Sequence, residues 1–236
     1  MRKSVFKLAA ACVALGSISA ATPAFAQEEA AEEAEGPITV SGGIAAVSDY
    51  RFRGVSLSDK DFAVQPYLTI SHESGFYVGA WGSNIADNAG DDLEIDLYAG
   101  FAGGEAVTYD LGVTYYMYPG VSSFNYAEII GKVGTTVGPA TVGAMLAYAP
   151  SQDGTGNTDN VYLGTNATIA LPDSPISVTG SVGYEDGAFG DDKIDWSLGL
   201  TAAVSGFTIG ASYVDTNRFV GGLGKAGAVF SLSYSF

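Results

Sequence analysis

The chain has 236 residues, a formal charge of −16 and only 15% charged residues, whereas 47% of its residues are hydrophobic and Gly, Tyr and Phe are frequent. So negative a chain argues against nucleic acid as a partner, because phosphate backbones are bound by basic surfaces. The composition favours an all-β shell over an ordinary soluble α/β enzyme.

Residues 1–26 predict an export signal. A basic start at Arg2, Lys3 and Lys7 precedes an apolar core at 8–18, and an Ala-Phe-Ala cleavage site follows at 24–26. Cleavage there removes three of the ten Lys and Arg residues and none of the 26 acids, so the formal charge moves from −16 to −19. The mature chain is expected to begin near residue 27.

The only cysteine, Cys12, lies inside this signal. A lipoprotein cysteine is the alternative, but it would leave almost no apolar core before it. Cleavage after Ala26 leaves no disulfide or thiol chemistry. The stretch 27–36 is acidic and too poor in bulky apolar residues to bury a core. It predicts a solvated periplasmic tail, with a short helix as the alternative.

From Pro37 onward hydrophobicity alternates with a period of two, which is typical of β-strands with two different faces. The pattern predicts twelve strands, most of them near the ~9 to 11 residues that a tilted membrane strand needs. In the third predicted strand, 76–84, residues at both odd and even positions are apolar, so its outward face stays unassigned. The predicted strands are 38–53, 62–70, 76–84, 93–101, 107–117, 126–137, 142–148, 161–171, 176–184, 194–204, 207–213 and 227–236.

The connections alternate in length. Short turns are predicted at 73–75, 103–105, 138–139, 172–175 and 205–206, and longer polar loops at 54–61, 85–92, 119–125, 150–160, 185–193 and 215–225. Outer-membrane barrels have an even strand number, short periplasmic turns and longer outer loops. The fold prediction is therefore all-β: a transmembrane antiparallel up-and-down β-barrel over 37–236, with both termini in the periplasm.

The last ten residues show the alternation most clearly, with apolar residues on one face, small polar ones on the other, and Phe236 as the final residue. This ending resembles the closing strand of bacterial outer-membrane barrels, and it makes this strand the expected contact with the barrel-assembly machinery. A secreted β-sandwich is the alternative fold, but it leaves the loop rhythm and the aromatic ending unexplained.

Aromatic residues cluster at both ends of the predicted lipid face, as the two girdles of a membrane barrel do. The loop-end group is Tyr50, Phe52, Tyr115, Tyr148, Tyr184 and Tyr213, and the turn-end group is Phe101, Tyr109, Phe207, Tyr234 and Phe236.

Four blocks carry a family resemblance: SDYRFRGVS at 48–56, SHESGFYVGAWGSN at 71–84, LEIDLYAG at 93–100 and YYMYPG at 115–120. With these blocks the chain resembles the TorF-family porins of proteobacteria, an outer-membrane family of the Gcw_chp type. The resemblance implies a pore in the outer membrane, and it supplies neither an established substrate nor catalytic residues. The second half of the chain matches mainly in its barrel pattern.

Nine charged side chains face the barrel interior by strand parity and are the predicted pore-lining residues. A lipid-facing Arg or Lys at the bilayer midplane would cost about 2–4 kcal/mol, so a wet lumen suits them better. Such charges can form a constriction that selects solutes by sign. They are Asp49, Arg51, Arg53, Glu94, Asp96, Asp110, Glu128, Lys132 and Asp195.

The excess of acids among these nine predicts a mild preference for cations. The alternative to a constriction is a mutually paired network that braces or plugs a narrow barrel. Many inward positions are Gly, Ala or Ser, and the space they leave favours an open pore.

No enzyme, cofactor or metal site is predicted. The single histidine, His72, lies beside a short turn without an evident base or nucleophile partner, and no P-loop, zinc or haem motif is present. The acidic loops at 87–92 and 186–192 are expected to be solvated; divalent cations bridging lipopolysaccharide are the alternative, although the spacing fits no EF-hand.

The sequence thus predicts a porin-like channel of the bacterial outer membrane that passes small hydrophilic solutes passively. Its expected partners are outer-membrane lipid, lipopolysaccharide and those solutes. The alternative function is a non-conducting structural or surface-interaction barrel, which planar-bilayer conductance would distinguish.

Overall fold

The computed structural model describes residues 36–217 and 222–236, and within them twelve antiparallel strands form one closed barrel. A hairpin of two short strands, β2 (Arg51–Phe52) and β3 (Val55–Ser56), lies between the first two barrel strands. The barrel strands are β1 (Ile38–Val47), β4 (Ala63–His72), β5 (Phe76–Asn88), β6 (Asp91–Gly103), β7 (Val107–Met117), β8 (Tyr126–Val137), β9 (Ala140–Ala149), β10 (Asn160–Ala170), β11 (Ile176–Gly187), β12 (Gly190–Val204), β13 (Phe207–Thr216) and β14 (Gly227–Ser235).

The predicted fold class, strand number and up-and-down order are confirmed, since each strand pairs with its neighbours in sequence and β14 pairs with β1. Two hydrogen bonds between Gly42 and Phe236, of 3.0 and 2.9 Å, extend this seam to the last residue. The predicted signal at 1–26 and all but the last residue of the predicted tail at 27–36 lie outside the described residues.

Strand parity separates two surfaces. Leu97 and Leu111 are exposed on the outer face, whereas Asp96 and Asp110 on the same strands are buried inside. A single sheet closed on itself has no second sheet to cover its apolar face, so the β-sandwich alternative is wrong. An exposed apolar band of this kind suits lipid as its surroundings. In the described part of the chain, no helix has the length and hydrophobicity to cross a membrane.

The two ends of the barrel differ. The turn end carries the connections 73–75, 104–106, 138–139, 171–175 and 205–206, while the loop end carries 48–62, 118–125, 150–159 and the described residues 217 and 222–226 together with two tight turns. Both the start of β1 and the end of β14 lie at the turn end, because Ile38 pairs with His72 and Ser235 with Gly43. That this end faces the periplasm stays a prediction.

The loops predicted at 85–92 and 185–193 are wrong. Strands β5 and β6 continue to a two-residue turn at Ala89 and Gly90, whose φ angles of 59° and 97° suit a hairpin. Strands β11 and β12 likewise continue to a turn at 188–189. The physical reason is that the part of a strand that is surrounded by water needs no apolar face. The polar composition at the ends of these strands therefore indicates contact with solvent and not a loop.

The first predicted strand is also too long. Strand β1 ends at Val47, and residues 48–58, here called the plug, fold into the barrel at the loop end, whereas 59–62 are exposed and lead into β4. Tyr50 and Phe52 are therefore not in the lipid-facing girdle: Tyr50 is buried against Trp81, and Phe52 packs on Tyr116. The other four predicted loop-end tyrosines are exposed on the outer face.

Candidate channel interior

The plug is a β-hairpin that reaches across the lumen. Strands β2 and β3 pair Arg51 with Ser56 and Phe52 with Val55. Arg53 and Gly54 form its tip with φ angles of 48° and 85°, a left-handed conformation that ends any extended strand. A Cβ on Gly54 would lie 2.8 Å from the Asp195 Cβ, so the tip sits directly against β12.

Arg53 anchors the tip to two strands of the far wall. Its Nη2 donates to Glu128 Oε1 and Oε2 at 2.8 and 2.7 Å, and its Nη1 donates to Glu185 Oε1 at 2.7 Å. The guanidinium also lies 4.3 Å from the ring centre of Tyr162. Since all these side chains are buried, the contacts are charge-assisted and shielded from water.

Arg53 stays protonated in the folded barrel. Burial disfavours the charged form, but the neighbouring Glu128 and Glu185 carboxylates outweigh it and raise the pKa of Arg53 well above its ordinary value. Lys193 forms a second ion pair with Glu185 and donates from Nζ to the Arg53 carbonyl oxygen at 3.0 Å. The tip is thus held by side-chain and backbone contacts together.

Arg51 anchors the base of the hairpin to the β13–β14 connection. Its Nε lies 2.6 Å from Asp49 Oδ2, and its Nη1 donates to the carbonyl oxygens of Leu223 and Lys225 at 3.1 and 3.0 Å. Asp49 in turn accepts a 2.6 Å hydrogen bond from Ser56 Oγ. These contacts join both strands of the hairpin to a second loop.

Aromatic packing fills the space between the plug and the wall. The Tyr50 ring centre is 5.4 Å from that of Trp81, and the Tyr50 hydroxyl donates to Glu94 Oε1 at 3.4 Å. Burial, followed by the charges of Glu94 and Asp96, raises the pKa of Tyr50 well above its ordinary value. Tyr50 therefore remains a neutral hydrogen-bond donor.

The structure places the nine predicted pore-lining residues partly in the plug and partly on the barrel wall. Asp49, Arg51 and Arg53 lie in the plug and not on a strand of the wall, which corrects their predicted placement. Glu128 meets Arg53, whereas Asp195 accepts a 3.3 Å hydrogen bond from the Tyr162 hydroxyl. Whether any of the nine lines a conducting pore stays a prediction.

Four of the predicted acids, Glu94, Asp96, Asp110 and Asp195, form no ion pair within residues 36–217 and 222–236, although Asp110 faces Lys132 across the β7–β8 register and attracts its charge. Glu94 Oε2, Asp96 Oδ1 and Asp110 Oδ2 are buried there without a hydrogen-bond partner. The other Asp110 oxygen accepts a 2.7 Å hydrogen bond from Tyr77. Of the predicted bases, only Lys132 makes no ion pair or hydrogen bond within the described chain.

Sequence reasoning missed Glu185 and Lys193, which hold the plug tip. Both were assigned to a loop because they lie in a polar stretch. The strand period contained the missing signal: Glu185 continues the inward parity of Ser181 and Gly183, and Lys193 that of Asp195. Extending each strand by its parity would have placed both side chains inside.

Inward glycines leave less space than predicted, because tyrosine rings lie across several of them. A Cβ on Gly79 would be 2.5 Å from the Tyr98 ring, and one on Gly100 would be 2.5 Å from the Tyr77 hydroxyl. Tyr162 covers Gly183 in the same way. At these places the wall is smooth and aromatic.

Part of the lumen wall in the turn-end half is more accessible than the wall near the loop end, although Thr69, Ser71 and Thr201 in the turn-end half are buried. Plug and wall residues near the loop end are buried, whereas Lys132 is half-buried and Asn166 is exposed. We call this accessible part of the wall the vestibule; its lining includes Thr168, Ser181, Ser231 and Ser233, all half-buried. Solvent therefore reaches part of the lumen in the turn-end half.

The acidic loop-end turns form no evident ion site. Asp87 accepts a hydrogen bond from Gly90 N at 2.9 Å, and Asp192 Oδ1 accepts one from Tyr184 at 2.7 Å. Among the residues described, no group of three or more His, Cys, Asp and Glu side chains is arranged to hold a metal ion.

Comparisons with known proteins agree with the barrel. The family model described as "Bacterial protein of unknown function (Gcw_chp)" matches residues 31–229. A search of curated proteins found no match. The solved KdgM porin is similar with a TM-score of 0.58 at 8% identity, covering 83% of this chain and 98% of that one. The NanC porin gives a TM-score of 0.52 at 10% identity, covering 84% and 99%. At such identities the likeness concerns the fold.

Proposed function

The chain belongs to the Gcw_chp family of bacterial proteins, and from that membership and its porin-like barrel we propose that it is an outer-membrane channel for passive diffusion of small hydrophilic solutes. The observation that supports the proposal most is the vestibule, a polar and partly accessible stretch of lumen wall inside a barrel whose outer face is apolar. Water-filled interiors of this kind are what porins use for conduction.

The proposal extends to family, orientation and partners. We place the chain with the TorF-family porins, with the turn end in the periplasm and the loop end outside. Outer-membrane lipid and lipopolysaccharide surround the apolar band, and the barrel-assembly machinery contacts the strand that ends in Phe236. The chain is proposed to have no catalytic activity.

The plug determines how much current the channel carries. With the hairpin in place, its tip bridges to β8, β11 and β12, and the loop-end lumen is filled by buried side chains. Removing one partner of a buried ion pair costs about 3–5 kcal/mol, so the plug stays in place most of the time. Conduction therefore proceeds around the plug at a low level, or through rare openings.

Planar-bilayer recording of refolded protein tests this proposal. Wild type is compared with a variant in which residues 50–58 are replaced by a short Gly-Ser linker. Small, reproducible conductance steps are expected from wild type, and several-fold larger ones from the plug-less barrel. A plug-less barrel that retains its β-sheet circular dichroism but carries no current would contradict the proposal.

A non-conducting structural barrel is the second candidate, and the buried ion-pair network at the plug tip favours it. If only the plug-less variant conducts, the plug is a permanent closure and the second candidate is correct. If wild type conducts and conductance grows on plug removal, the channel is correct.

A further inference from the structure

We infer that the vestibule contains a binding site for a small organic anion, centred on Lys132 of β8. The inference rests on the proposed channel for its role in transport, but the site itself is a property of the wall. The site would make anions the favoured solutes at the turn end, whereas the excess of acids among the inward charges predicts a mild preference for cations.

Lys132 is an inward-facing charge of the vestibule. Its side chain is half-buried, and within residues 36–217 and 222–236 it makes no ion pair or hydrogen bond. Asp110, its direct partner in the β7–β8 register, is 5% exposed and engaged with the Tyr77 hydroxyl. The Asp110 carboxylate attracts the Lys132 ammonium group, but it is the more buried of the two, so a solute in the vestibule contacts the ammonium group first.

The wall next to Lys132 is shaped by two glycines. Gly134 and Gly143 are register partners on β8 and β9, one inward position closer to the turn end. A Cβ on Gly134 would meet Thr108 Oγ1 at 3.1 Å, and one on Gly143 would meet Asn166 Oδ1 at 2.7 Å. The glycines thus let both polar side chains lie flat against the wall, which keeps the space before Lys132 clear.

The chemistry of these groups indicates the class of ligand. Lys132 supplies a positive charge, while the Asn166 amide, exposed and two strands or ~10 Å away, offers N–H donors. A carboxylate accepts from both kinds of donor, and a hydroxyl on the same molecule suits Thr108. A small hydroxycarboxylate, such as lactate, is the class that this arrangement fits.

Reversal potentials in asymmetric KCl test the charge. The variant Lys132→Gln should lower the chloride-to-potassium permeability ratio by about threefold, as expected for one charge a few ångströms from a solvated path. Lys132→Arg should keep the ratio, and Lys60→Gln, which removes an exposed lysine of the segment that follows the plug, is the matched control that should leave it unchanged. Asp110→Asn should leave the ratio unchanged or raise it.

Chloride line broadening in ³⁵Cl NMR of the refolded protein tests the site without any current. Wild type should broaden the chloride line more than Lys132→Gln does. Lactate should abolish this difference by displacing chloride from the wild-type site, whereas uncharged glycerol should leave it unchanged. Equal broadening by both proteins would overturn the site, even if the channel conducts. Absence of current in every variant would instead reject the proposed function and leave the NMR result to decide the site.

Discussion

At the loop end, Arg53 pairs with inward acids on the far side of the lumen, whereas at the turn end inward side chains are mostly hydroxyl-bearing and bond at most two strands away. Arg53 links the plug to Glu128 on β8 and to Glu185 on β11. In contrast, Ser181 bonds Ser197 on the adjacent strand at 2.7 Å, and Tyr67 bonds Ser235 two strands away at 3.0 Å. One barrel thus combines a loop-end half braced by ion pairs with a turn-end half held by local hydrogen bonds and partly accessible to solvent.

The largest effect is expected from Arg53→Ala, which removes the central brace. Two buried carboxylates would lose their shared partner, and the free energy of unfolding in lipid vesicles should fall by about 3–5 kcal/mol. Fluorescence during urea titration reports the change, because Trp81 packs against Tyr50 of the plug. Arg53→Lys keeps the charge without the planar fork and should lie between wild type and Arg53→Ala. Equal stability of all three would remove the distinction between the halves.

A smaller loss is expected from Glu185→Gln. The amide keeps the size of the side chain but weakens its contacts with Arg53, Lys193 and Asn160, so about 1.5–3 kcal/mol should be lost. The matched control is Glu73→Gln, which neutralises an exposed acid at the turn end. Urea titrations of the two variants should therefore diverge; a pair of superimposable curves would argue against the brace.

Gly54→Ala tests the geometry of the tip. Its φ of 85° disfavours a side chain, and the added methyl group would crowd Asp195. A loss of about 1–2 kcal/mol is expected from the left-handed conformation alone. Faster proteolysis of the plug should accompany this loss, since the tip would fit less well against β12. A variant as stable and as protease-resistant as wild type would show that the tip is not in close contact with the wall.

The smallest effect is expected from Ser233→Ala in the vestibule. Ser233 is half-buried on β14 and lies outside the cross-braced half, so its loss should change stability by no more than about 0.5 kcal/mol. The same urea titration measures it. A loss comparable to that of Glu185→Gln would show that the turn end depends on hidden interactions as much as the loop end does.

The barrel itself was predictable because alternate residues of a strand face two different environments, lipid outside and the polar lumen inside. In β6, the exposed Leu97 and the buried Asp96 follow the expected alternation. The plug defeated the same reasoning, since 48–53 alternates as a strand does while its apolar members pack inside the lumen. Only the left-handed tip at Arg53 and Gly54 interrupts the pattern, and a sequence shows the glycine but not the conformation of the arginine.

The candidate site was predictable in membership but not in arrangement. Parity identifies inward residues, yet it does not say which of them meet: Arg53 and Glu185 are 132 positions apart in the chain. The accessibility of Lys132 was equally hidden, because it depends on the plug filling the other half of the lumen. Long-range pairing of this kind is a property of the closed barrel and not of any one strand.

The Arg53 side chain also has an electrical consequence. As a part of the hairpin, it supplies the countercharge for acids that belong to the barrel, and it would leave with the hairpin. Glu128 would then have no cation beside it within the described residues, and Glu185 would keep Lys193 alone. Unplugging would thus turn a neutralised stretch of wall into an electronegative one, so that the conducting and resting forms of this barrel would discriminate between ions differently.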